Sequence, residues 1–303
     1  MTKKVMVLMG GFSSEREVSL NGGKSIAKAL RKKSYEVIEH DLTNTKELLK
    51  ALDKQKPDVV YNALHGNWGE DGAISALLDL LQIPYTHSGM LASAIGMNKY
   101  ISKLIAKNSG IRVASSQKTT AKEFQASGTT IEYPYVVKPV SDGSSVGVFI
   151  VNNQQDALLV KYKNMDTEIL IEKYIEGQEL TVMCYKNFAH VVTEIKPTED
   201  FYDYEHKYQK GGATHILPAN IPNEISEICK AYAQTMHNKL GCKTVSRSDF
   251  RYNPKDGVVF LEINTHPGMT ELSLVPEQAK YIGISYEDLC QQLVEDASCR
   301  PLK

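Results

Sequence analysis

Glu262 and Asn264 stand two residues apart in FLEINTHPGMTELS, residues 260–273. Alternate side chains on a strand share a face, so this carboxylate and amide project together while Ile263 faces away. A solvated strand end would explain that much. Upstream, SRSDFRYNPKDGVVFLEIN reads as a hairpin about the turn NPKDG, which brings Asp249 roughly opposite Glu262. Crowding two carboxylates with an amide is costly unless a cation lies between them. Hard oxygen donors suit magnesium held jointly with phosphates. A register slip of one residue would turn these side chains away. Arg247, on the face of Asp249, offers its fork to a substrate carboxylate or to a structural ion pair.

Phosphate chemistry has its own candidate in VKPVSDGSSVGV, residues 137–148. Small residues between two strands let backbone N–H groups approach an anion, and Lys138 at the strand end adds a charge. A flexible hairpin is the plainer alternative. NGGKS at 21–25 lacks the first glycine of a P-loop and reads as the start of a helix. IEKYIEGQE sets Glu172, Lys173 and Glu179 around a strand end and turn, where backbone groups suit a purine edge and a carboxylate suits ribose hydroxyls. An exposed charged turn would look the same. FYDYEHKYQKGG, residues 201–212, has no clean period and reads as a loop able to serve as a lid. Glu15 follows the first strand and can cap the next helix or meet a substrate amine. His65 and Trp68 sit in HGNWGEDG, another loop at the same edge.

Elements that could position these residues alternate strand and helix from residue 3 to 90. KVMVLMGG, YEVIEHDL, PDVVYNALHG and a short IPYTHSG read as strands; VSLNGGKSIAKALRKK, TKELLKALDKQ and GAISALLDLLQ read as helices. That order predicts a doubly wound parallel sheet with its binding edge at Gly10-Gly11 and His65-Gly66. A helix is expected from Leu91 to Ser109. Beyond it, YPYVVKPV, VGVFIVN, EILIEKYI and ELTVMCY are strands of a second, α+β unit, with a helix from Gln154 to Lys163. A third unit has strands at HVVTEIKP, TVSRSDFRYN and GVVFLEIN, and helices at NEISEICKAYAQTMHNKLG and SYEDLCQQLVED. The expected divisions are 1–97, 98–180 and 181–303.

With 303 residues, several domains are expected. The formal net charge of −1 gives no reason to expect nucleic acid or an anionic membrane as partner. Five scattered cysteines without a CxxC pair suit reduced thiols in a cytoplasmic protein. The apolar run from Val5 to Met9 is too short for a signal peptide, and no segment approaches a membrane span.

Taken in order, GGFSSEREVSL, HGNWGEDG, KPVSDGSSVGV, LIEKYIEGQELTV, FYDYEHKY, RSDF and LEINTHPGMTELSLVP resemble the D-alanine–D-alanine ligase family of the ATP-grasp superfamily, from about residue 3 to residue 295. The resemblance implies an N-terminal α/β domain followed by a two-part ATP-grasp α+β unit. It implies ATP and two magnesium ions, or manganese in their place, with Asp249, Glu262 and Asn264 as ligands. Lys99 and Lys138 match lysines on the ATP phosphates, Glu172, Lys173 and Ile175 the adenine strand, and Glu179 the ribose acid. Lys207 and Tyr208 match the lid over the γ-phosphate. Glu15, Ser144 and Tyr208 match a hydrogen-bonded trio that closes the site around the first D-alanine. Arg247 and the Gly268 backbone resemble groups stabilising a tetrahedral intermediate, and Ser273 and Leu274 the pocket for the second carboxylate. A homodimer serving peptidoglycan synthesis in the cytoplasm is also implied. Phe12, Asn67 and Trp68 depart from the family's smaller residues.

Rival expectations are a ligase joining D-alanine to D-lactate, a nucleotide-binding regulator without catalysis, and a doubly wound dehydrogenase. Lys207 and Tyr208 favour the dipeptide ligase, and retention of Lys138, Asp249, Glu262, Asn264, Arg247 and Tyr208 argues against the regulator. No GxGxxG follows the first strand, which argues against the dehydrogenase.

Overall fold

Strand β1 (Lys4–Gly10) is buried on both faces, Val5, Val7 and Met9 toward one side and Met6 and Leu8 toward the other. The computed structural model describes residues 2–143, 146–197 and 213–302. β1 lies between β2 (Glu36–Leu42) and β3 (Val59–Asn62), parallel to both. Its first face packs on helix α1 (Arg16–Lys32) and on residues from the chain's far end, including Leu289 and Leu293. Its second face packs on α2 (Thr45–Gln55) and α3 (Ala73–Leu80). Helices on both faces are what a doubly buried parallel sheet requires. NGGKS lies within α1 rather than at its start. A Cβ on Gly23 would come within 2.6 Å of Met9, so glycine there lets the helix close on the sheet.

Two expectations for the next stretch are corrected. IPYTHSG supplies only isolated bridges from Tyr85, to Val60 and to Ser298, and the parallel sheet has three strands among the described residues. The helix expected from Leu91 to Ser109 is two, α4 (Met90–Met97) and α5 (Lys99–Asn108). Asn98 breaks them apart with extended backbone, and its side chain caps α5 by accepting from the Ile101 N–H.

A four-stranded antiparallel sheet follows, ordered β4 (Ser116–Thr120), β7 (Glu168–Lys173), β5 (Tyr135–Pro139), β6 (Phe149–Val151). Tyr135, Val137, Ile169 and Ile171 form one face, which meets Phe124 of α6 (Ala121–Ser127) and Ala157 of α7 (Gln154–Leu159). The opposite face carries Lys138 and Glu172. A five-stranded sheet is ordered β10 (Ala213–Ile216), β9 (Phe188–Pro197), β8 (Gln178–Tyr185), β11 (Val245–Asn253), β12 (Gly257–Asn264). Helix α8 (Asn223–Leu240) covers the core face of this sheet through Cys229, Ala233 and Met236. The chain finishes with α9 (Leu274–Tyr281) and α10 (Tyr286–Glu295). Because β8 belongs to the five-stranded sheet, the two sheets divide within 174–177. All five cysteines are free thiols, and no helix among the described residues is long and apolar enough to cross a membrane.

Candidate active site

The β11–β12 hairpin runs in regular register from Asn253↔Gly257 to Phe250↔Phe260, and then Asp249 pairs with Glu262, leaving Leu261 as an extra residue. This is a β-bulge. Phe260 and Ile263 are both buried in the same core although three positions apart, which regular alternation forbids. Without the bulge, Glu262 would share the face of Phe260 and point into that core. With it, Glu262 and Asn264 turn to the open face beside Asp249 and Arg247. Arg247 itself pairs with Asn264 in register.

On that face Asp249 is firmly held. Its Oδ1 accepts from the Thr181 hydroxyl at 2.6 Å and from Arg247 Nε at 2.9 Å, and its Oδ2 accepts from Arg247 Nη2 at 2.8 Å. Glu262 lies 3.5 Å from the Lys99 ammonium. Asn264 Oδ1 accepts from the His266 N–H at 2.8 Å, which fixes its amide. Among the described residues, no three His, Cys, Asp or Glu side chains group to hold a metal ion by themselves. Two facing carboxylates and an amide instead fit a hard cation that takes the rest of its shell from phosphate oxygens.

Facing this hairpin is the polar side of the four-stranded sheet. Glu172 is buried, with one oxygen 2.7 Å from Lys103 and the other 2.5 Å from Lys138. Burial pushes the Glu172 carboxyl up, but the two ammonium groups outweigh it and hold the group below its ordinary value. For Lys138, burial is outweighed by Glu172 and Glu262, and its pKa is raised. For Lys103, burial dominates and lowers it to about 8. Lys99 opens α5, its N–H donating to Val140 O at 2.9 Å and its ammonium to Asp142 O. The helix break at Asn98 thereby ties α5 to the end of β5, where the phosphate-loop candidate begins. Ile175 is buried with Ala114 and Val259, while Lys173 at the end of β7 is exposed and its N–H donates to Ser115 O. Glu179 pairs with Arg251 at 3.0 Å.

Glu15 makes no side-chain cap to α1, so the helix-cap alternative falls away. Its carboxylate points between two loops: a Cβ on Gly66 would lie 2.9 Å from Glu15 Oε2, and one on Gly143 3.2 Å from it. The Ser13 hydroxyl shapes this corner, donating to His65 O at 2.6 Å and accepting from the Glu15 N–H at 3.2 Å. His65 Nδ1 lies 2.8 Å from Glu70, whose charge outweighs burial and raises the imidazole's pKa. A cavity of ≈ 40 Å³ is lined by Glu70, Lys99, Asp142, Gly143, Glu262 and Asn264 among others, joining all three groups of residues. Ser273 precedes α9, its Oγ 2.7 Å from the Thr270 hydroxyl and within 3.3 Å of where a Gly268 Cβ would stand. Gly268, Ser273 and His65 therefore share one corner.

Ser144, Lys207 and Tyr208 lie outside the described residues, as does the whole lid candidate 201–212. Phe12 and Trp68 are exposed, and Trp68 adopts a left-handed backbone, φ 73°. Thr181, Lys103 and Glu70 were not singled out from sequence. Only Lys103 carried a usable signal, its four-residue spacing from Lys99 on one helix.

Family models match most of the chain. The D-ala D-ala ligase C-terminus model matches residues 104–295, and the N-terminus model matches 4–57 and 45–88. The chain is 48% identical over 299 residues to a D-alanine–D-alanine ligase of Ruegeria sp. (strain TM1040), covering 98% of this chain and 96% of that one. It is 48% identical over 305 residues to the corresponding ligase of Parvibaculum lavamentivorans, covering 98% of each. Its fold matches the crystal structure of the Bacillus anthracis D-alanine–D-alanine ligase complexed with ATP, with a TM-score of 0.82 at 31% identity, covering 98% of this chain and 97% of that one. With these matches spanning nearly all of its length, the chain belongs to the D-alanine–D-alanine ligase family.

Proposed function

We propose that this protein joins two D-alanines to D-alanyl-D-alanine, converting ATP to ADP and phosphate, for use in peptidoglycan precursor synthesis. The observation that carries this reading is the bulged hairpin. It sets Asp249, Glu262 and Asn264 on one face, with Lys99 against Glu262. The family's ATP-complexed neighbour supports the nucleotide assignment.

In the first step a carboxylate oxygen of one D-alanine attacks the γ-phosphorus of ATP, and ADP departs, leaving a D-alanyl phosphate. In the second, the amine of another D-alanine attacks the acyl carbon, the C–O bond to phosphate breaks, and inorganic phosphate and a proton are released. Lys99 and Lys138 stand where they can meet the charge of the phosphates. Asp249, Glu262 and Asn264 would hold magnesium, which when bound neutralises phosphate oxygens during transfer. Glu15, aimed between the Gly66 and Gly143 loops, would take the ammonium of the first D-alanine. Arg247 is fixed by Asp249 and can donate to the oxyanion on the acyl carbon. Ser273 and the backbone N–H groups of Leu274 and Val275, at the start of α9, would receive the second carboxylate. Holding both substrates in line supplies much of the rate, because orientation removes the entropy of encounter. Ser144, Lys207 and Tyr208 would close the site, excluding water from the acyl phosphate. The protein would work as a homodimer in the cytoplasm.

The test is ADP release with D-alanine, L-alanine and D-lactate as acceptors. The dipeptide reading requires turnover with D-alanine alone. Preference for D-lactate at neutral pH would instead make the protein the depsipeptide enzyme.

A further inference from the structure

Lys103 has no part in the chemistry above, yet its charged side chain is buried. It is 3% exposed, on the face of α5 that also carries Lys99 one turn earlier. Its ammonium sits 2.7 Å from Glu172 Oε1 and donates to Phe260 O at 3.2 Å. Burying an ammonium is unfavourable unless it is paired, and Glu172 already has a partner in Lys138, 2.5 Å from its other oxygen. Two ammonium groups therefore share the Glu172 carboxylate, with the Glu262 charge also acting on both. That doubling has a use if one of the two has other work.

Lys138 is the lysine placed at the start of the phosphate-loop candidate. An ammonium that binds phosphate oxygens must loosen its grip on Glu172. Were Lys138 the sole counter-ion, its departure would strand a buried carboxylate beside an incoming polyanion. Lys103 stays behind and prevents this. We propose that Lys103 is a positioning residue for the nucleotide: it is the standing counter-ion of Glu172, which frees the Lys138 ammonium for the phosphates. The inference rests on the ATP-dependent reading above and extends it to a residue that touches no substrate.

The Lys103→Met variant keeps the aliphatic stem and removes the charge. Calorimetric affinity for ATP and for tripolyphosphate should fall by about tenfold or more, the size of one charge-assisted hydrogen bond, while KM for D-alanine stays within about threefold. The discriminating variant is Lys103→Met combined with Glu172→Gln. With the carboxylate neutralised, Lys138 is free again, and tripolyphosphate affinity should return to within about threefold of wild type. A merely structural lysine predicts no such rescue. Unchanged tripolyphosphate affinity in Lys103→Met, or a double variant as weak as the single one, overturns the proposal. If the single variant does not fold, the double variant decides: near-wild-type affinity supports the proposal and a roughly tenfold loss overturns it. Wild-type protein that binds tripolyphosphate but releases no ADP with D-alanine would sink the ligase reading and leave this inference standing.

Discussion

Glu172 and Asp249 are both carboxylates on sheet faces that look into one cleft, and their surroundings differ in a way that separates their roles. Glu172 is sealed between two lysines, with its side chain 4% exposed. Asp249 shares one arginine and one hydroxyl, with its side chain 13% exposed. An ammonium group lies within 2.7 Å of each Glu172 oxygen, which leaves little room for a further cation. Asp249 faces a second carboxylate across the hairpin and can exchange part of its bonding with Arg247 for a cation. Burial depth and number of counter-ions thus distinguish a charge that organises its neighbours from one that can bind an ion.

The strongest way to break this contrast is at Glu262. Glu262→Gln preserves shape and removes charge, so ADP release at saturating substrates should fall by about 1,000-fold, ~4 kcal/mol in the barrier, without loss of fold. Near-wild-type turnover at limiting magnesium would move the cation elsewhere. Lys138→Ala comes next. It leaves Glu172 with Lys103 alone, and ATP affinity measured at equilibrium should drop by roughly 10- to 100-fold. Affinity and turnover both unchanged would remove Lys138 from the phosphates.

Buried histidines sharpen the comparison, because they are titratable groups sealed away with no carboxylate beside them. Burial and the neighbouring His65 lower His87 to about 3, burial lowers His237 to about 4, and His266, stacked on His87 at 4.0 Å, is held well below its ordinary value. The unfolded chain protonates such rings near 6.5, so it binds more protons than the folded chain once the pH drops below that value. Stability is therefore fully present above about 6.5 and is lost as pH falls toward the folded values. Urea unfolding should show a loss of roughly 1.5 kcal/mol for each of His87 and His237 between pH 6.5 and 5. A flat profile would mean that the folded protein accepts these protons. The smallest effect belongs to Thr181→Val, which removes one hydrogen bond from Asp249 and keeps its shape. Turnover should drop by about fivefold, ~1 kcal/mol, with ATP affinity unchanged. A matching loss in ATP affinity would show that the two clusters are not independent.

Much of this site was legible in the sequence because its residues lie on elements with strong patterns. The hairpin turn NPKDG and the buried flanks of β11 and β12 placed Asp249 opposite Glu262, and the structure keeps that pairing. The bulge that makes it work left no trace, since Leu261 differs from an ordinary strand residue only in what its partner strand does. The break at Asn98 was hidden because apolar residues at helical spacing continue through it, while a single capping amide decides the geometry. IPYTHSG reads as a strand, but beyond the two isolated bridges of Tyr85 the Thr86 hydroxyl and the His87 ring turn inward to hydrogen-bond each other. Glu172 could be found from its motif. For its second lysine, Lys103, the spacing from Lys99 was the one signal, and the pairing itself stayed hidden because it joins residues far apart in the chain and depends on how α5 packs.

The outer edge of β12 closes in an unusual way at Phe260. The Phe260 N–H donates to Arg112 O at 2.9 Å, Val113 bridges alongside, and the Phe260 carbonyl accepts from Lys103. A last strand with bare backbone groups is a template on which foreign chains can add and aggregate. At Phe260 that template is occupied by the chain's own connector and by a lysine. Trimming the connector would therefore do more than loosen the cleft. It would expose β12 to self-association, so insolubility at high concentration should precede loss of helix content.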